Sequence, residues 1–360
     1  MSTEHLPGAT PRRSVLTALN AGLHQAFAAD QRVILLGEDV LDPYGGAFKL
    51  TKGLSSAYPE RVWTTPISEA GIVGIASGLA LRGLRPVVEI MFGDFLTLAA
   101  DQIINHAAKF RWMYNDQVRL PLVVRTPMGG RRGYGPTHSQ TLEKLFLGVP
   151  GLRVVAAAAF GDPGEMLRQM ILEGEDPLLF IENKLLYSIP LFDEGDSEEL
   201  TLQTVWESDE IEGIAPRRAL TPLPPTPVYI LRLRGAPPPV LSVAAYGYMA
   251  ELARQAMVKI AYEKEIFIEL VVPTQLAPIQ VQSILRSVHE TGRLLILEEG
   301  SLTNGWGAEV IARLVESDGL RRTKLRRLAA LDLPVPASGA LEPAVLPGMD
   351  ALLAAIESMG

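Results

Sequence analysis

The sequence predicts an α/β protein with two domains, each built on a mainly parallel sheet with helices on both faces. Short runs of branched residues alternate with segments of helical hydrophobic spacing in the first half, and the alternation resumes in the second. Acidic and Pro-rich stretches separate the two series. With 360 residues, 48% of them hydrophobic, the chain is long enough for two cores. We therefore divide it into a domain at 12–190, a linker or surface excursion at 191–239, and a domain at 240–360.

The first series opens with a helix, because Val15, Leu19, Leu23 and Phe27 recur at helical spacing. A second helix is expected after Glu69, and a long one in FLTLAADQIINHAAKFRWMY. The strand-like runs of this half are RVILLGEDV (32–40), PVVEIMFG (86–93), LPLVVRTPM (120–128), LRVVAAAA (152–159) and PLLFIE (177–182). Such alternation is typical of βαβ units, which place parallel strands side by side.

The second series follows a break that contains DEGDSEE, APRRALTPLPPTP and GAPPP. Three strands are predicted, in VLSVAAYG (240–247), IFIELVVP (266–273) and RLLILEEG (293–300). Three helices are predicted, in YMAELARQAMVKIAYEK (248–264), IQVQSILRSVHETG (279–292) and WGAEVIARLVES (306–317).

Charge and composition exclude several classes of function. The net charge of -8 argues against a nucleic-acid-binding protein. The basic run RRTKLRR (321–327) indicates a solvated helix end or strand edge, with a docking patch for an acidic partner as the alternative. The absence of cysteine excludes disulfides, thiolate catalysis and Cys-ligated clusters. No apolar run is long enough to cross a membrane and the first residues lack an apolar signal core, so a cytoplasmic protein is expected.

Unusual loops follow the predicted strands, where parallel sheets bind their ligands. These loops are LDPYGGAFKL (41–50), MFGDF (91–95) and MGGRRGYGPTHSQ (128–140). Neither nucleotide-binding glycine fingerprint is present, which argues against a self-contained nucleotide site. Glu69 stands as a lone carboxylate in TPISEAGIVGIASGLAL, where local sequence alone favours a residue that complements a helix dipole.

Six motifs in order carry a family resemblance. They are GEDV (37–40), GGAFKLTKGL (45–54), PERVWTTPISEAGIVG (59–74), GLRPVVEIMFGDF (83–95), DQIINHAAKFR (101–111) and RTPMGGRRGYGPTHSQ (125–140). Together they resemble the beta subunit of thiamine-diphosphate-dependent 2-oxo acid dehydrogenases of the pyruvate and branched-chain type. The resemblance implies a transketolase-like pyrimidine-binding domain followed by a transketolase C-terminal-like domain.

The resemblance also implies that this chain holds half of an active site. In the family an alpha subunit carries the diphosphate and Mg²⁺ half through a GDG…NN motif, and this sequence has neither GDG nor an Asn-Asn pair. Thiamine diphosphate would then be shared with an alpha-type partner in an alpha-two beta-two heterotetramer. EGEDP (173–177) does not reproduce the family's K⁺-binding pattern, so no metal is predicted in this chain.

Two residues are carried over as catalytic. Glu69 matches the family glutamate that hydrogen-bonds a ring nitrogen of the aminopyrimidine, where a carboxyl group can share a proton and favour the reactive tautomer. His138 matches a histidine beside the reacting carbon, suited to orienting the substrate carboxylate or relaying a proton. The alternative for His138 is a turn histidine bonded to backbone groups.

The remaining candidates contact the cofactor or the substrate. Ile67, Met91 and Phe95 match cofactor-binding positions, with Phe95 stacking on the aminopyrimidine ring. The alternative for these residues is simple core packing. On the substrate side we place Glu38, and the loop arginines Arg131 and Arg132, whose alternative is solvation.

The predicted function is therefore that of an oxidoreductase subunit. It would take part in oxidative decarboxylation of a 2-oxo acid, with acyl transfer to a lipoyl-bearing acyltransferase. Two alternatives stay open: a transketolase-like ketol or acyl transfer subunit of a biosynthetic pathway, and a non-catalytic scaffold subunit. Joint retention of Glu69, Phe95 and His138 argues against a scaffold.

Overall fold

The computed structural model describes residues 12–207, 225–317 and 323–360. The predicted signal-free start and His5 lie outside these residues, as does most of APRRALTPLPPTP. Two sheets flanked by helices account for the described part, as predicted from the alternation of short apolar runs and helical spacing. No helix in the described ranges is both long and apolar enough to span a membrane.

The first half supplies six strands, and those predicted from apolar runs are buried throughout. They are β1 (Val33–Gly37), β2 (Val62–Thr64), β3 (Arg85–Glu89), β4 (Val123–Met128), β5 (Arg153–Ala156) and β6 (Leu178–Asn183). Strands of this set that are neighbours in the sheet pair in parallel with each other. All of the strand predictions for this half are confirmed, while β2 is an additional short strand.

Helices cover both faces of this sheet. Those of the first half are α1 (Val15–Ala29), α2 (Leu54–Ala57), α3 (Glu69–Leu81), α4 (Leu96–Asp101), α5 (Ala108–Met113) and α6 (Pro163–Glu173). A π-helical turn at Gln102–Ala107 joins α4 to α5, so the predicted long helix is continuous but locally widened. Helix α1 packs on α6 on one face of the sheet. On the opposite face, α3 packs on both β3 and α4.

The second half supplies a second sheet with its own helices. Its strands are β7 (Leu200–Glu207), β8 (Thr226–Leu233), β9 (Leu241–Ala245), β10 (Ile268–Pro273), β11 (Gln275–Ala277), β12 (Arg293–Ser301) and β13 (Lys324–Ala330). Its helices are α7 (Gly247–Lys264), α8 (Gln282–Thr291), α9 (Trp306–Glu316) and α10 (Met349–Glu357). The second sheet has the order β13-β12-β9-β10-β8-β7, and β11 belongs to the first sheet instead.

The segment 191–239 is more than a linker, which corrects the prediction. It contributes β7 and β8, which pair antiparallel with each other, and β8 pairs antiparallel with β10. The buried side chains of Leu200 and Leu202 alternate with outward residues, a strand pattern that the acidic and Pro-rich flanks obscured. The described part of the basic run, 323–327, lies in and just before the edge strand β13, as the strand-edge interpretation predicted.

The two halves are joined through a shared sheet and a shared core. Strand β11 from the second half pairs antiparallel with β5 at the edge of the first sheet, whose order is β11-β5-β6-β4-β3-β1-β2. One buried apolar cluster includes Ile34 and Val124 of the first sheet together with Ile296 and Trp306 of the second half. The carboxyl edge of the first sheet is therefore held rigidly against the second half.

Candidate active site

Four neighbouring strands of the first sheet have their carboxyl ends side by side, which we call the strand edge. Every predicted site residue follows one of these four strands. Gly37 of β1 is in register with Thr64 of β2 and Glu89 of β3, and Glu89 is in register with Arg125 of β4. After β1 comes Glu38; after β2 come Ile67 and Glu69; after β3 come Met91 and Phe95; after β4 come Arg131, Arg132 and His138. Parallel strands thus gather these residues at the edge where such sheets bind ligands.

Glu38 and Glu69 form an acidic pair at the mouth of this edge. Glu69 is the first residue of α3 and only 5% exposed, and Glu38 is also buried. Burial raises the pKa of Glu38 above its ordinary value, and the carboxylates of Glu69 and Asp39 add to the effect, while the backbone N–H of Ser68 opposes it. Glu38 therefore takes up a proton more readily than an exposed glutamate does.

An exposed apolar side chain stands beside this acidic pair. Ile67, two residues before Glu69, is 84% exposed, and Ile75 and Leu98 on the neighbouring helices α3 and α4 are more than half exposed. Large apolar side chains grouped at one surface are typical of a contact with a ligand or another protein. The mouth of the strand edge is therefore incompletely covered by the described part of this chain.

Aromatic rings surround His138. The imidazole lies edge-on to Phe92 at 4.9 Å and to Phe95 at 5.2 Å between ring centroids, and Phe92 and Phe95 contact each other at 5.8 Å. The hydroxyl of Thr137 lies 3.0 Å from Nδ1 of His138. Because Nδ1 has this partner, Nε2 is the ring nitrogen that is available for proton transfer.

The loop that carries His138 is tied down at two points, by residues that were not predicted as site residues. The carboxylate of Asp94 accepts from the backbone N–H of Gln140 at 3.3 Å and from its amide group at 2.9 Å. The ammonium group of Lys184, which follows β6, donates to the carbonyl oxygen of His138. Asp94 lay within the MFGDF motif, whereas nothing in IENKLL distinguished Lys184 from a surface lysine at a strand end.

Arg131 and Arg132 join this loop to the rest of the chain. The guanidinium of Arg131 donates to the carbonyl of Pro347 at 2.6 Å and lies 5.8 Å from the ring centroid of Tyr248. Arg132 donates to the carbonyl of Lys184 at 3.1 Å. Both contacts are with protein groups, and the substrate-side role of the two arginines stays a prediction.

A fully buried ion pair lies beneath the edge. Arg125 donates to both oxygens of Glu182 and to Glu89, whose carboxylate also accepts from the backbone N–H of Ala47 in the loop after β1. Burial raises the pKa of Glu89, and Arg125 opposes that rise. The two carboxylates raise the pKa of Arg125, against the effect of its burial. The ion pair therefore fixes the loop 41–50 over the strand ends.

A second acidic cluster lies between the two halves. Glu143 accepts from the hydroxyl of Tyr246, Glu298 accepts from the backbone N–H of Gly307 at 3.1 Å, and Glu299 accepts from Gly130 and Asn183. Burial raises the pKa of Glu298 to about 7, and the carboxylate of Glu143 adds to the rise. Burial also raises the pKa of Glu143.

The residues at the mouth fit the pyrimidine end of thiamine diphosphate. Glu69 supplies a buried carboxyl group, and Phe95 and Met91 supply partly buried apolar surface after β3. An aminopyrimidine is a flat ring with nitrogen atoms on its edge, so it requires apolar contacts to its faces and a polar partner in its plane. Glu69, Met91 and Phe95 would be the residues of this chain that hold it.

Comparison with known proteins identifies the family and the fold. Residues 12–190 match the family model "Transketolase, pyrimidine binding domain" and residues 237–352 match "Transketolase, C-terminal domain". A solved structure described as a split-gene transketolase, an inactive beta4 tetramer, shares the fold. It has a TM-score of 0.68 at 19% identity and covers 97% of this chain and 98% of that one.

Relatives with assigned names extend over nearly the whole chain. The pyruvate dehydrogenase E1 component subunit beta-1 of Arabidopsis thaliana is 35% identical, with 95% of this chain and 88% of the relative covered. The 3-methyl-2-oxobutanoate dehydrogenase subunit beta of Mycobacterium tuberculosis is 32% identical (97% and 92%). The acetoin:2,6-dichlorophenolindophenol oxidoreductase subunit beta of Cupriavidus necator is also 32% identical (95% and 96%). The chain therefore belongs to the family of transketolase-like beta subunits of thiamine-dependent 2-oxo acid dehydrogenases.

Proposed function

We propose that this chain supplies the pyrimidine half of a thiamine-diphosphate site in a 2-oxo acid dehydrogenase and is active only with an alpha-type partner. The observation that carries the proposal is the buried carboxyl group of Glu69. It lies at the mouth of a parallel strand edge, beside the exposed side chain of Ile67, in a chain of this family. The assembly we propose is an alpha-two beta-two heterotetramer in the cytoplasm.

When bound, thiamine diphosphate would supply a carbon nucleophile and an electron sink for the decarboxylation of a 2-oxo acid. The residues of this chain prepare that chemistry. Glu69 shares a proton with the ring nitrogen of the pyrimidine, while Phe95 and Met91 hold the ring and exclude water. His138, through Nε2, orients the substrate carboxylate or moves a proton during acyl transfer. Mg²⁺ would be held by the partner chain with the diphosphate.

The partner also explains the exposed apolar surface at the mouth. Ile67 precedes Glu69 by two residues, and Ile75 and Leu98 lie on the neighbouring helices α3 and α4; all three side chains are more than half exposed. An alpha-type subunit that covers them would remove water from the pocket of Glu69 and bring the diphosphate half to it. Since the chain has no cysteine, we propose that the acyl group and its electrons leave on a lipoyl-bearing acyltransferase.

The test is reconstitution. The chain is purified with and without the alpha-type subunit, and decarboxylation of a panel of 2-oxo acids is measured with thiamine diphosphate, Mg²⁺ and an artificial electron acceptor. We expect turnover only in the mixture, a loss of roughly 100- to 10,000-fold in kcat for Glu69→Gln, and no loss for the exposed control Glu60→Gln. Turnover by this chain alone, or full activity of Glu69→Gln, would contradict the proposal.

A transketolase-like transfer is the second candidate, because the matching family models carry transketolase names. It would use Glu69 and the same fold but a ketose phosphate in place of a 2-oxo acid. Ketose phosphates are therefore included in the same panel. Turnover of ketose phosphates alone would favour this candidate, and a mixture that binds no cofactor would favour a scaffold subunit.

A further inference from the structure

Lys184 is a buried lysine that the proposed chemistry does not use. Its side chain is 0% exposed, it follows β6, and its backbone N–H is bonded to the carbonyl of Met128 at 3.1 Å. Its ammonium group donates to the carbonyl oxygen of His138. The backbone of the candidate catalytic histidine is therefore bonded directly to a buried cation.

The surroundings of this ammonium group are unusual for a buried charge. It lies 5.1 Å from the ring centroid of Phe92 and 5.4 Å from that of Tyr134, so aromatic faces cover two of its sides. Among residues 12–207, 225–317 and 323–360, no carboxylate is close enough to form an ion pair with it. A buried charge without an ion-pair partner is costly, and such sites are retained more often for function than for stability.

Lys184 and Asp94 bracket the segment that carries His138. Lys184 holds the carbonyl of residue 138, and Asp94 holds the backbone and side chain of Gln140. The positive charge of Lys184 and the negative charge of Asp94 thus act at the two ends of three residues. Phe92, which contacts the ammonium, also contacts the imidazole of His138.

We propose that Lys184, as an ammonium ion, is a positioning residue that holds His138 in its working orientation, and that loss of its proton sets the alkaline limit of activity. This inference rests on the proposed function, in which His138 acts at the substrate. The ammonium form makes a charge-assisted hydrogen bond and a cation–π contact; the neutral amine makes only a weaker hydrogen bond.

The electrostatics place this change within an accessible pH range. Burial lowers the pKa of Lys184 to about 8, and Arg132 lowers it further, while the carboxylates of Asp94, Glu299 and Glu342 oppose the change. The other titratable residues in contact with the ammonium group are Tyr134, through its ring, and His138, through its carbonyl oxygen. Activity that depends on the ammonium form should therefore fall as the pH rises through about 8.

Stability should change in the opposite direction, which separates the two effects. Because the pKa of Lys184 is lower in the folded chain than in the unfolded chain, the unfolded chain binds more protons between about pH 8 and pH 10. The contribution of Lys184 to the free energy of unfolding therefore rises with pH in this window. A fall in activity there cannot be explained by unfolding that originates at this lysine.

The experiment uses the complex with the alpha-type subunit and four variants, Lys184→Met, Lys184→Arg, His138→Ala and Lys144→Met. Lys144 is the matched control, since it bonds Ser301 and the carbonyl of Thr303 and lies away from His138. The readouts are kcat and KM as functions of pH, and backbone hydrogen exchange of residues 135–141. Methionine is unbranched like lysine, is shorter by one atom and carries no charge, so Lys184→Met is expected to fold.

We expect the kcat of the wild type to fall above about pH 8, and we expect the same fall in the control Lys144→Met. Lys184→Arg should keep most of the activity and lose the fall, because a guanidinium does not titrate there. Below about pH 8, where the wild-type lysine carries its proton, Lys184→Met should lose about tenfold or more in kcat with little change in KM, and this difference should shrink at higher pH. The variant should also exchange faster at 135–141.

The outcomes distinguish the two levels of inference. If no variant and no wild-type complex turns over a 2-oxo acid, the proposed function fails. If His138→Ala loses activity but Lys184→Met matches the wild type in kcat, pH profile and exchange, the positioning role alone is overturned. An alkaline fall that persists unchanged in Lys184→Met and Lys184→Arg also overturns it.

Discussion

Two groups of buried carboxylates are compensated in different ways. Glu89 and Glu182 in the first sheet share the guanidinium of Arg125. Within the described ranges, the hydrogen-bond donors to Glu143 and Glu298 are neutral and include the Tyr246 hydroxyl and the backbone N–H groups of Gly307 and Trp306. One oxygen of Glu143 and one of Glu298 have no hydrogen-bond partner within the described ranges.

The comparison shows that burial and hydrogen-bond partners act together on the charge state of a carboxyl group. The guanidinium of Arg125 lowers the pKa of Glu89 and so opposes the effect of burial, which nevertheless raises that pKa above its ordinary value. Neutral donors compensate less, so burial dominates and the carboxyl group takes up a proton more readily, as the pKa of about 7 for Glu298 indicates. The first group therefore contains its own counter-charge, whereas the described hydrogen-bond donors of the second carry none.

The largest expected effect comes from removing the cation of the first group. Arg125→Met should lower the free energy of unfolding by about 3–5 kcal/mol near neutral pH, because it leaves Glu89 and Glu182 buried without a counter-charge. The loss should shrink at low pH, where the carboxyl group of Glu89, whose pKa burial already raises, becomes protonated. Urea unfolding followed by circular dichroism measures it.

The matched control for this prediction is Arg313→Met on α9. Arg313 pairs with Glu309 at 2.8 Å on the surface, so its removal should change the free energy of unfolding by less than about 1 kcal/mol. Equal effects of the two substitutions would mean that the buried ion pair is not what distinguishes the first group.

The second prediction concerns the group without a cation. Because the pKa of Glu298 is raised from 4.5 to about 7 in the folded chain, the stability it contributes is complete below pH 4.5 and is lost as the pH rises through 7. Glu298→Gln should therefore be more stable than the wild type by about 1–3 kcal/mol at pH 8 and nearly equal to it near pH 4.5.

Unfolding in urea at both pH values measures this difference. The control is Glu316→Gln, an exposed carboxylate at the end of α9, which should show no such dependence. A Glu298→Gln protein that is less stable than the wild type at pH 8 would show that the carboxylate is compensated, and the contrast between the two groups would disappear.

The smallest effect on stability is expected at the third acidic group, the Glu38–Glu69 pair, whose neighbour Ile67 is exposed. Ile67→Ser should change the free energy of unfolding of this chain by less than about 0.5 kcal/mol. It should weaken assembly with the alpha-type subunit by about tenfold or more, because burial of such a side chain is worth about 1.5–3 kcal/mol. Sedimentation or titration calorimetry measures the assembly.

Val315→Ser provides the comparison for this substitution. Val315 is an exposed apolar residue on α9, away from the strand edge, and its replacement should leave assembly unchanged. If Ile67→Ser assembles as well as the wild type, the partner does not cover the mouth, and the acidic pair is closed by something else.

The sequence predicts most of this architecture, and the misses have physical reasons. Strands such as β1 and β12 were recognised because their apolar runs are continuous. Strand β7 was missed because half of its side chains face solvent and its flanks are acidic and Pro-rich, and β11 has only three residues. Short or half-exposed strands carry little signal of their own, because their partners in the sheet decide them.

The candidate site shows the same division. Glu69, Phe95 and His138 lie in local motifs, and the register of β1, β2, β3 and β4 explains why all three follow strands at the same end of the sheet. Lys184 had no local signal, because its burial depends on Phe92 and Tyr134 from two other loops. Tertiary contacts of this kind are not encoded at any single position of the sequence.

Strand β11 has a consequence for synthesis of the protein on the ribosome. It completes the first sheet by pairing with β5, yet residues 275–277 are translated long after the other strands of that sheet. Until they emerge, the backbone of β5 is an open edge, which is prone to pair with other chains. The amino-terminal half therefore cannot reach its final state as a nascent domain, and its last hydrogen bonds form only when much of the carboxy-terminal half has left the exit tunnel.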